Sequence, residues 1–319
     1  MTIKNIDPHA ESFPHGVMFH HFHNEKHPKS QGSISAIQFD NMLTWLTDRK
    51  NVLSADEFSY KLKLQKLDNT DICITFDDAL LCQYEIALPI LKARGIQAYF
   101  FIYSSPFHKD PDLLEVFRIF RNSSFGGIDN FYKQFSDTVA NNYSQIYSKA
   151  EINFKKIDYL NEYQFYTEND KWFRFLRDHA LCKEQYLDVM NTLMREKNFS
   201  VKDAQKTIWI TRENLFELAN GGHTIGLHSY SHPVSFQLLD KETQELEYQK
   251  NFDHLKEITG LSPTSMSHPF GNYNQITLDI LKSMKIEIGF RDNSSIKEIR
   301  SIYEVPRKDH ANILQEMLK

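Results

Sequence analysis

One α/β barrel-like domain interrupted by a helical insertion is the fold this 319-residue sequence predicts. Three observations carry that expectation. First, "ICITF" (72–76), a helix-like stretch ending at Gly95 and "IQAYFFIYS" form a strand–helix–strand unit, which favours a parallel sheet. Second, from about residue 106 to 207 glycine and proline nearly vanish while aromatics recur among charges. Third, the strand–helix alternation resumes after residue 207.

In chain order, "GVMFHHFHN" reads as a short strand ending in histidines, and "SAIQFDNMLTWLTDRK" as a helix with Ile37, Met42, Leu43 and Leu46 on its apolar face. The strand 71–76 precedes a helix over roughly 80–94, for which Gly95 is the C-cap. Within the insertion, "LLEVFRIFRN", "DNFYKQFSD", "NDKWFRFLRDHAL" and "EQYLDVMNTLMREK" read as four helices, a lid-like unit at about 107–206 with aromatics as helix core. "TRENLFELANGG" is a helix with Thr211 as N-cap, and "HTIGLHSYSHP" a strand running into a loop. An amphipathic helix stopped by Gly260 follows. "PTSMSHPFGNYN" is a short strand and loop, "QITLDILKSMKI" a helix, and "EIGFR" and "YEVPR" are final strands.

A hydrophobic fraction of 41% and a charged fraction of 25% are those of a soluble protein with a substantial core. The net charge of -5 argues against a nucleic-acid partner, which would need a basic patch. "MTIKNIDPHAESFPHG" has no apolar signal-peptide core and no stretch approaches a membrane span, so a cytoplasmic location is expected. Cys73, Cys82 and Cys182 lack CxxC spacing and read as reduced core residues. Nothing in the sequence speaks to oligomeric state.

The chemistry gathers at strand ends. "ICITFDDA" closes a buried strand with two adjacent carboxylates and no base beside them. Asp78 alone would pass as an N-cap, but like charges side by side repel. In "HSYSHP", His228 and His232 are four apart after the strand "HTIGL", at the end where α/β barrels collect catalytic groups. Two histidines and one carboxylate are a usual ligand set for catalytic Zn²⁺. If Asp78 binds the metal, Asp77 is free to act as a base and the cation offsets the repulsion. Alone, each signal is weak: an HxxxH pair recurs by chance in a chain with 14 histidines, and an Asp pair before a helix is more often capping. "TFDD", "HSYSHP" and "SHPFG" in that order are far less often accidental.

These motifs resemble the polysaccharide deacetylase family, the NodB-homology carbohydrate esterases, which remove N-acetyl groups from amino sugars. "ITFDDA" resembles the family's first motif, with the first aspartate as general base and the second as metal ligand. "HSYSHP" resembles its second, H-[ST]-x-x-H. "SHPFGNYN" resembles the third, which forms a wall of the sugar groove and offers a backbone N–H to the oxyanion. The resemblance covers roughly residues 15–105 and 207–310 and implies a distorted (β/α)7 barrel. It implies Asp77 as base and Asp78, His228 and His232 as ligands of Zn²⁺, or of Co²⁺, Ni²⁺ or Mn²⁺. Phe270 would supply the oxyanion N–H, with Phe270, Gly271 and Tyr273 facing substrate.

Departures are informative. The third motif commonly begins with an arginine that orients the base. Ser267 stands there, and Arg307 in "VPRKDH" is the candidate to supply that charge from another strand. The late L-x-H motif carrying the general acid is not clear. His310 is one substitute; His20, in a stretch resembling the early "YH" strand of rearranged members, is preferred. His21, His23 and His27 read as loop residues or an adventitious metal site, and Ser229 as a loop support. The reaction implied is metal-assisted amide hydrolysis on an N-acetylated sugar or glycan, a cytoplasmic intermediate of surface-polysaccharide synthesis being expected. Two rivals stand beside it: a metal-independent amidase on the same barrel, and a non-catalytic glycan- or metal-binding protein.

Overall fold

The computed structural model describes residues 12–108, 113–160, 166–293, 295 and 297–318. The N-terminal reading above falls largely on residues 1–11, and the insertion includes 109–112 and 161–165, all outside the described residues. The chain divides into two units, one comprising Met1–Asp112 with Thr207–Lys319, the other Leu113–Lys206.

In the first unit, β3 (Asp71–Asp77) is buried along its whole length, as a central parallel strand requires. It pairs in parallel with β1 (His15–Phe19) on one edge and with β2 (Asn51–Val52) and β4 (Tyr99–Ile102) on the other. β5 (Thr224–Leu227), β6 (Ser265–Ser267) and β7 (Ile288–Phe290) continue beyond β4, and β8 (Arg307–Asp309) lies beyond β1. The path β7-β6-β5-β4-β3-β1-β8 nearly closes, because Phe290 bridges Val305 just ahead of β8. This is the distorted (β/α)7 barrel that the motifs implied.

Alternation along β3 separates inside from outside. Ile74 and Phe76 belong to the outer set, where Phe76 stacks on Phe100 and meets Phe39 of helix α1 (Ala36–Thr47). Cys73 belongs to the inner set with Tyr99, Phe101 and Phe290, and Thr75 and Asp77 follow in the same phase. The strand's own period therefore points Asp77 into the barrel.

Helix α1 starts at a Ser35–Gln38 capping box and buries Phe39, Met42, Leu43 and Leu46. Ile37, expected on that face, is 74% exposed, and Phe39 takes its place. Helix α2 (Ala55–Lys63) escaped the sequence reading, as did the two-residue β2. A π-turn at Gln83–Ala87 leads into α3 (Leu88–Arg94), which ends at Gly95 with φ +65°.

The second unit holds α4 (Leu113–Ser123), α5 (Ile128–Asn142), α6 (Ser144–Phe154), α7 (Glu168–Phe175), α8 (Lys183–Glu196) and most of α9 (Val201–Ile208). Its core is aromatic: Phe117, Phe120, Phe131, Phe135, Phe173 and Phe175. Four helices were expected there. α6 and α9 fall outside those four, although α6 carries Ile146, Ala150 and Phe154 at helical spacing against the core. Cys182, expected in the core, is exposed at the start of α8; Cys73 and Cys82 are buried.

The barrel resumes with α10 (Arg212–Asn220), capped by Thr211 as expected, then α11 (Lys241–Thr259), α12 (Gln275–Ser283) and α13 (His310–Met317). Gly260 stops α11 in the left-handed conformation. Among the described residues no helix is long and apolar enough to cross a membrane.

Candidate active site

Asp77 ends β3 with its carboxylate inside the barrel. Arg307 grips it from β8: Nη1 donates to Oδ1 at 2.7 Å and Nη2 to Oδ2 at 2.8 Å. The guanidinium also donates to Thr75 Oγ1, Arg291 O and Ser267 Oγ, and Ser267 Oγ donates to Asp77 Oδ2 at 3.2 Å. Arg307 reaches the carboxylate by crossing β1 at Gly16, where an added Cβ would stand 3.0 Å from Arg307 Cγ. Burial alone would raise the Asp77 pKa; Arg307 and His228 outweigh it and hold the carboxyl below its ordinary value.

Strict alternation would turn Asp78 outward. Instead its φ is +79°, its N–H donates to Phe101 O at 3.1 Å, and its carboxylate turns back beside that of Asp77. It is not an N-cap. Both His228 Nε2 and His232 Nε2 lie 3.5 Å from Asp78 Oδ1, an oxygen buried without a hydrogen-bond partner among the described residues. Burial opposes the Asp78 charge, but His232, His228 and His20 hold its pKa well below the usual carboxylate range.

His228 follows β5 and is buried; its Nδ1 donates to Ser267 O at 2.9 Å, which leaves the Nε2 lone pair facing Asp78. His232 is sandwiched between Tyr103, centroids 5.1 Å apart, and Phe270, 4.5 Å apart. One donor atom from each of Asp78, His228 and His232 lies within 4.8 Å of the others. A buried, unsatisfied carboxylate oxygen with two imidazole nitrogens aimed at it fits a divalent metal with N and O ligands, and leaves a coordination position open.

His20, directly after β1, places Nε2 3.9 Å from Asp77 Oδ2 and 3.9 Å from Asp78 Oδ2. Burial pushes its pKa down while Asp78 and Asp77 pull it up. His310 is placed differently. Its ring stacks on Phe19 at 5.9 Å, its Nε2 lies 2.8 Å from Gly32 O, and it opens α13. His23 and His27 are loop residues bonded to Ser33 and Glu85.

The third-motif segment forms a rim. Phe270 has φ +51° and is 41% exposed; Gly271, with φ +65°, passes so close to Asp292 that a side chain would collide with its carboxylate. Tyr273 stacks on His268 at 4.2 Å and donates to Glu304 at 2.9 Å. Burial first, then the Glu304 bond, pushes its phenol up to about 12. Its hydroxyl is therefore already engaged. His268 is buried, its Nε2 2.9 Å from Tyr303 O, and burial drives its pKa to about 3.

Sequence reasoning missed the residues that brace this site. Gln83 donates to both Asp77 O and His20 O, tying two strand ends together. Glu247 and Asn251, on α11, bind the loop that carries the two histidines. A polar residue on an otherwise buried helical stripe, as at Asn251, was the available signal.

The family model for polysaccharide deacetylase matches residues 186–289. No curated protein matches the chain in sequence. Among solved structures, the Streptococcus pyogenes deacetylase PplD, solved with acetate, is 15% identical with a TM-score of 0.56, covering 96% of this chain and 98% of its own. IcaB from Ammonifex degensii is 16% identical with a TM-score of 0.55, covering 93% and 91%. A de-N-acetylase from Aggregatibacter actinomycetemcomitans is 14% identical with a TM-score of 0.52, covering 92% and 93%. At such identities the likeness establishes the shared fold.

Proposed function

We propose that this chain, a member of the polysaccharide deacetylase family by its motifs, its barrel and its family-model match, is a metal-dependent carbohydrate N-deacetylase. The observation that carries the reading is the convergence of Asp78, His228 and His232 beside an aspartate locked by a buried arginine.

Bound at these three residues, a divalent metal such as Zn²⁺ would supply a Lewis acid and lower the pKa of water from 15.7 toward about 7. The protein residues do the rest. Asp77, kept ionised by Arg307, takes a proton from the attacking water. Both of its oxygens are held by Arg307, so its orientation is set before substrate arrives. The backbone N–H of Phe270 is the proposed oxyanion donor, and loss of one such donor typically costs about 2.7–4 kcal/mol. His20, 3.9 Å from Asp77, receives the proton and passes it to the nitrogen as the amide C–N bond breaks. The products are acetate and the free amine.

The proposed substrate is an N-acetylated amino sugar, with Phe270 and Gly271 at its edge. On the expectation of a cytoplasmic location, a nucleotide-, lipid- or short-glycan-linked intermediate of surface-polysaccharide synthesis is favoured. The test measures bound metal and acetate release from a panel of such sugars, with O-acetylated counterparts alongside. About one equivalent of metal and acetate release abolished in Asp77→Asn are expected. A protein that takes up no metal, or that releases acetate equally well as Asp77→Asn, would overturn the proposal.

A further inference from the structure

Helix α11 buries two amide side chains where a packing helix would carry leucine. Gln244 and Asn251 are both 0% exposed. Burying such groups is costly unless each is bonded. Gln244 is satisfied by Leu239 O and Thr277, which lie on neighbouring segments of the barrel exterior. Asn251 is satisfied by the site itself: its Nδ2 donates to Ile102 O at 2.9 Å, and its Oδ1 accepts from His228 N–H at 2.9 Å.

Those two partners are the next rung of the sheet. β4 and β5 are in register as Ile102 with Leu227, and their ladder begins with Thr224 N–H donating to Ala98 O. Stepping two residues at a time along a parallel pair, the ladder arrives at His228 N–H facing Ile102 O. The Asn251 carboxamide stands between them. It keeps both groups bonded while forcing the strands apart where the first metal-ligand candidate begins.

One turn earlier on the same helix, Glu247 acts on the rest of that loop. Oε2 accepts from Tyr230 N–H at 3.0 Å and Ser231 N–H at 2.8 Å, and Oε1 accepts from Ser231 Oγ at 2.8 Å. The loop needs such support because Ser229 and His232 both have left-handed φ, +62° and +55°. Ser229 Oγ accepts from His232 N–H at 3.1 Å and closes the turn from within.

We infer that Glu247 and Asn251 are positioning residues that set the separation and aim of the His228 and His232 imidazoles. Asn251 opens the β4–β5 ladder ahead of His228, and Glu247 clamps the turn between the two histidines. The inference rests on the metal-site reading above, since its consequence is metal affinity. Both act through backbone groups and Ser231 Oγ, and not on the candidate donor atoms themselves.

The test is the Zn²⁺ affinity of the purified full chain by competition with a chromophoric chelator, together with the visible spectrum of the Co²⁺-loaded protein. Glu247→Gln keeps size and helix propensity but replaces one acceptor with a donor. Asn251→Leu keeps the branched shape but removes both hydrogen bonds, to His228 N–H and to Ile102 O. Each is expected to weaken Zn²⁺ binding by about 10–100-fold, the range for partners that orient ligands, and to shift the Co²⁺ bands. Gln244→Leu, on the same buried stripe but away from the loop, is expected to leave both unchanged. Unaltered affinity and Co²⁺ spectrum in Glu247→Gln and Asn251→Leu, with the wild type binding metal, would overturn the inference alone. If Asn251→Leu does not fold, Glu247→Gln, on a half-buried side chain, decides by itself. A wild-type chain that binds neither metal would overturn the metal-site reading, and this inference with it.

Discussion

Replacing Arg307 by methionine tests how the base is held. The arginine is 0% exposed and its guanidinium spans both Asp77 oxygens, Thr75, Ser267 and Arg291 O. Methionine keeps the stem that passes Gly16 but removes the charge. Removing one partner of a buried ion pair typically costs about 3–5 kcal/mol, because the other charge remains buried and uncompensated. Urea unfolding at pH 7.5 in chelator, which removes metal linkage, should register a loss of that size. Adding Asp77→Asn eliminates the stranded charge, so the double variant should recover about 2 kcal/mol or more of it. The pH dependence has a definite sign. In the wild type the Asp77 pKa is depressed, so its contribution is present above the ordinary carboxylate range and is lost as pH falls through the depressed value. Without Arg307 burial raises that pKa, so the deficit of Arg307→Met should narrow as pH falls and the carboxyl takes up a proton. The acid limb of kcat/KM should move to higher pH for the same reason. A single variant destabilised by less than about 1 kcal/mol, or a double variant no better than the single, would refute the reasoning.

Three further outcomes are expected. His228→Ala should lose the bound metal, measured by elemental analysis of protein purified without added metal; retention of one equivalent would remove His228 from the ligand set. His20→Gln should lower kcat by about 10²–10⁴-fold, the usual contribution of a proton-transfer group, while His310→Gln should act on thermal stability; the reverse pattern would exchange their roles. Burial holds His15 at about 3 against an ordinary 6.5, with Lys308 and Lys50 adding to the effect. Below about pH 6.5 the unfolded chain takes up a proton that the folded chain refuses, so stability falls with pH by at most about 1.4 kcal/mol per unit for this group. Urea midpoints from pH 7.5 to 4.5 should fall less steeply in His15→Gln; equal slopes would contradict the assignment.

How much of this was legible beforehand varies with the kind of signal. Asp77, Asp78, His228 and His232 announced themselves because ligand chemistry needs particular residue types at strand ends. Arg307 was a candidate on charge alone; its place opposite Asp77 follows from β8 pairing with β1, a contact between chain ends that no local pattern encodes. Helices α2 and α6 do carry a helical period, Ala55, Phe58 and Leu62 in one and Ile146, Ala150 and Phe154 in the other, but over so few residues that charged and polar neighbours dominate the stretch. Ile37 misled because helical spacing tolerates several phases, and only packing against Phe19, Phe22 and Phe76 selects Phe39. Glu247 sits among ordinary surface-helix residues in the sequence and Asn251 on the buried stripe, and their roles exist only once α11 is laid against β5.

The left-handed backbone at Asp78 sets folding and function at odds. An aspartate there is strained, and it adds a buried negative charge beside another, yet without it the second carboxylate would face away from the histidines. Glycine would accept φ +79° freely and carry no charge. Asp78→Gly should therefore keep the turn and the barrel while binding no metal; a variant that fails to fold, or that retains one equivalent of metal, would contradict this reading. The ligand that the site needs here stands on backbone that glycine would adopt at no cost.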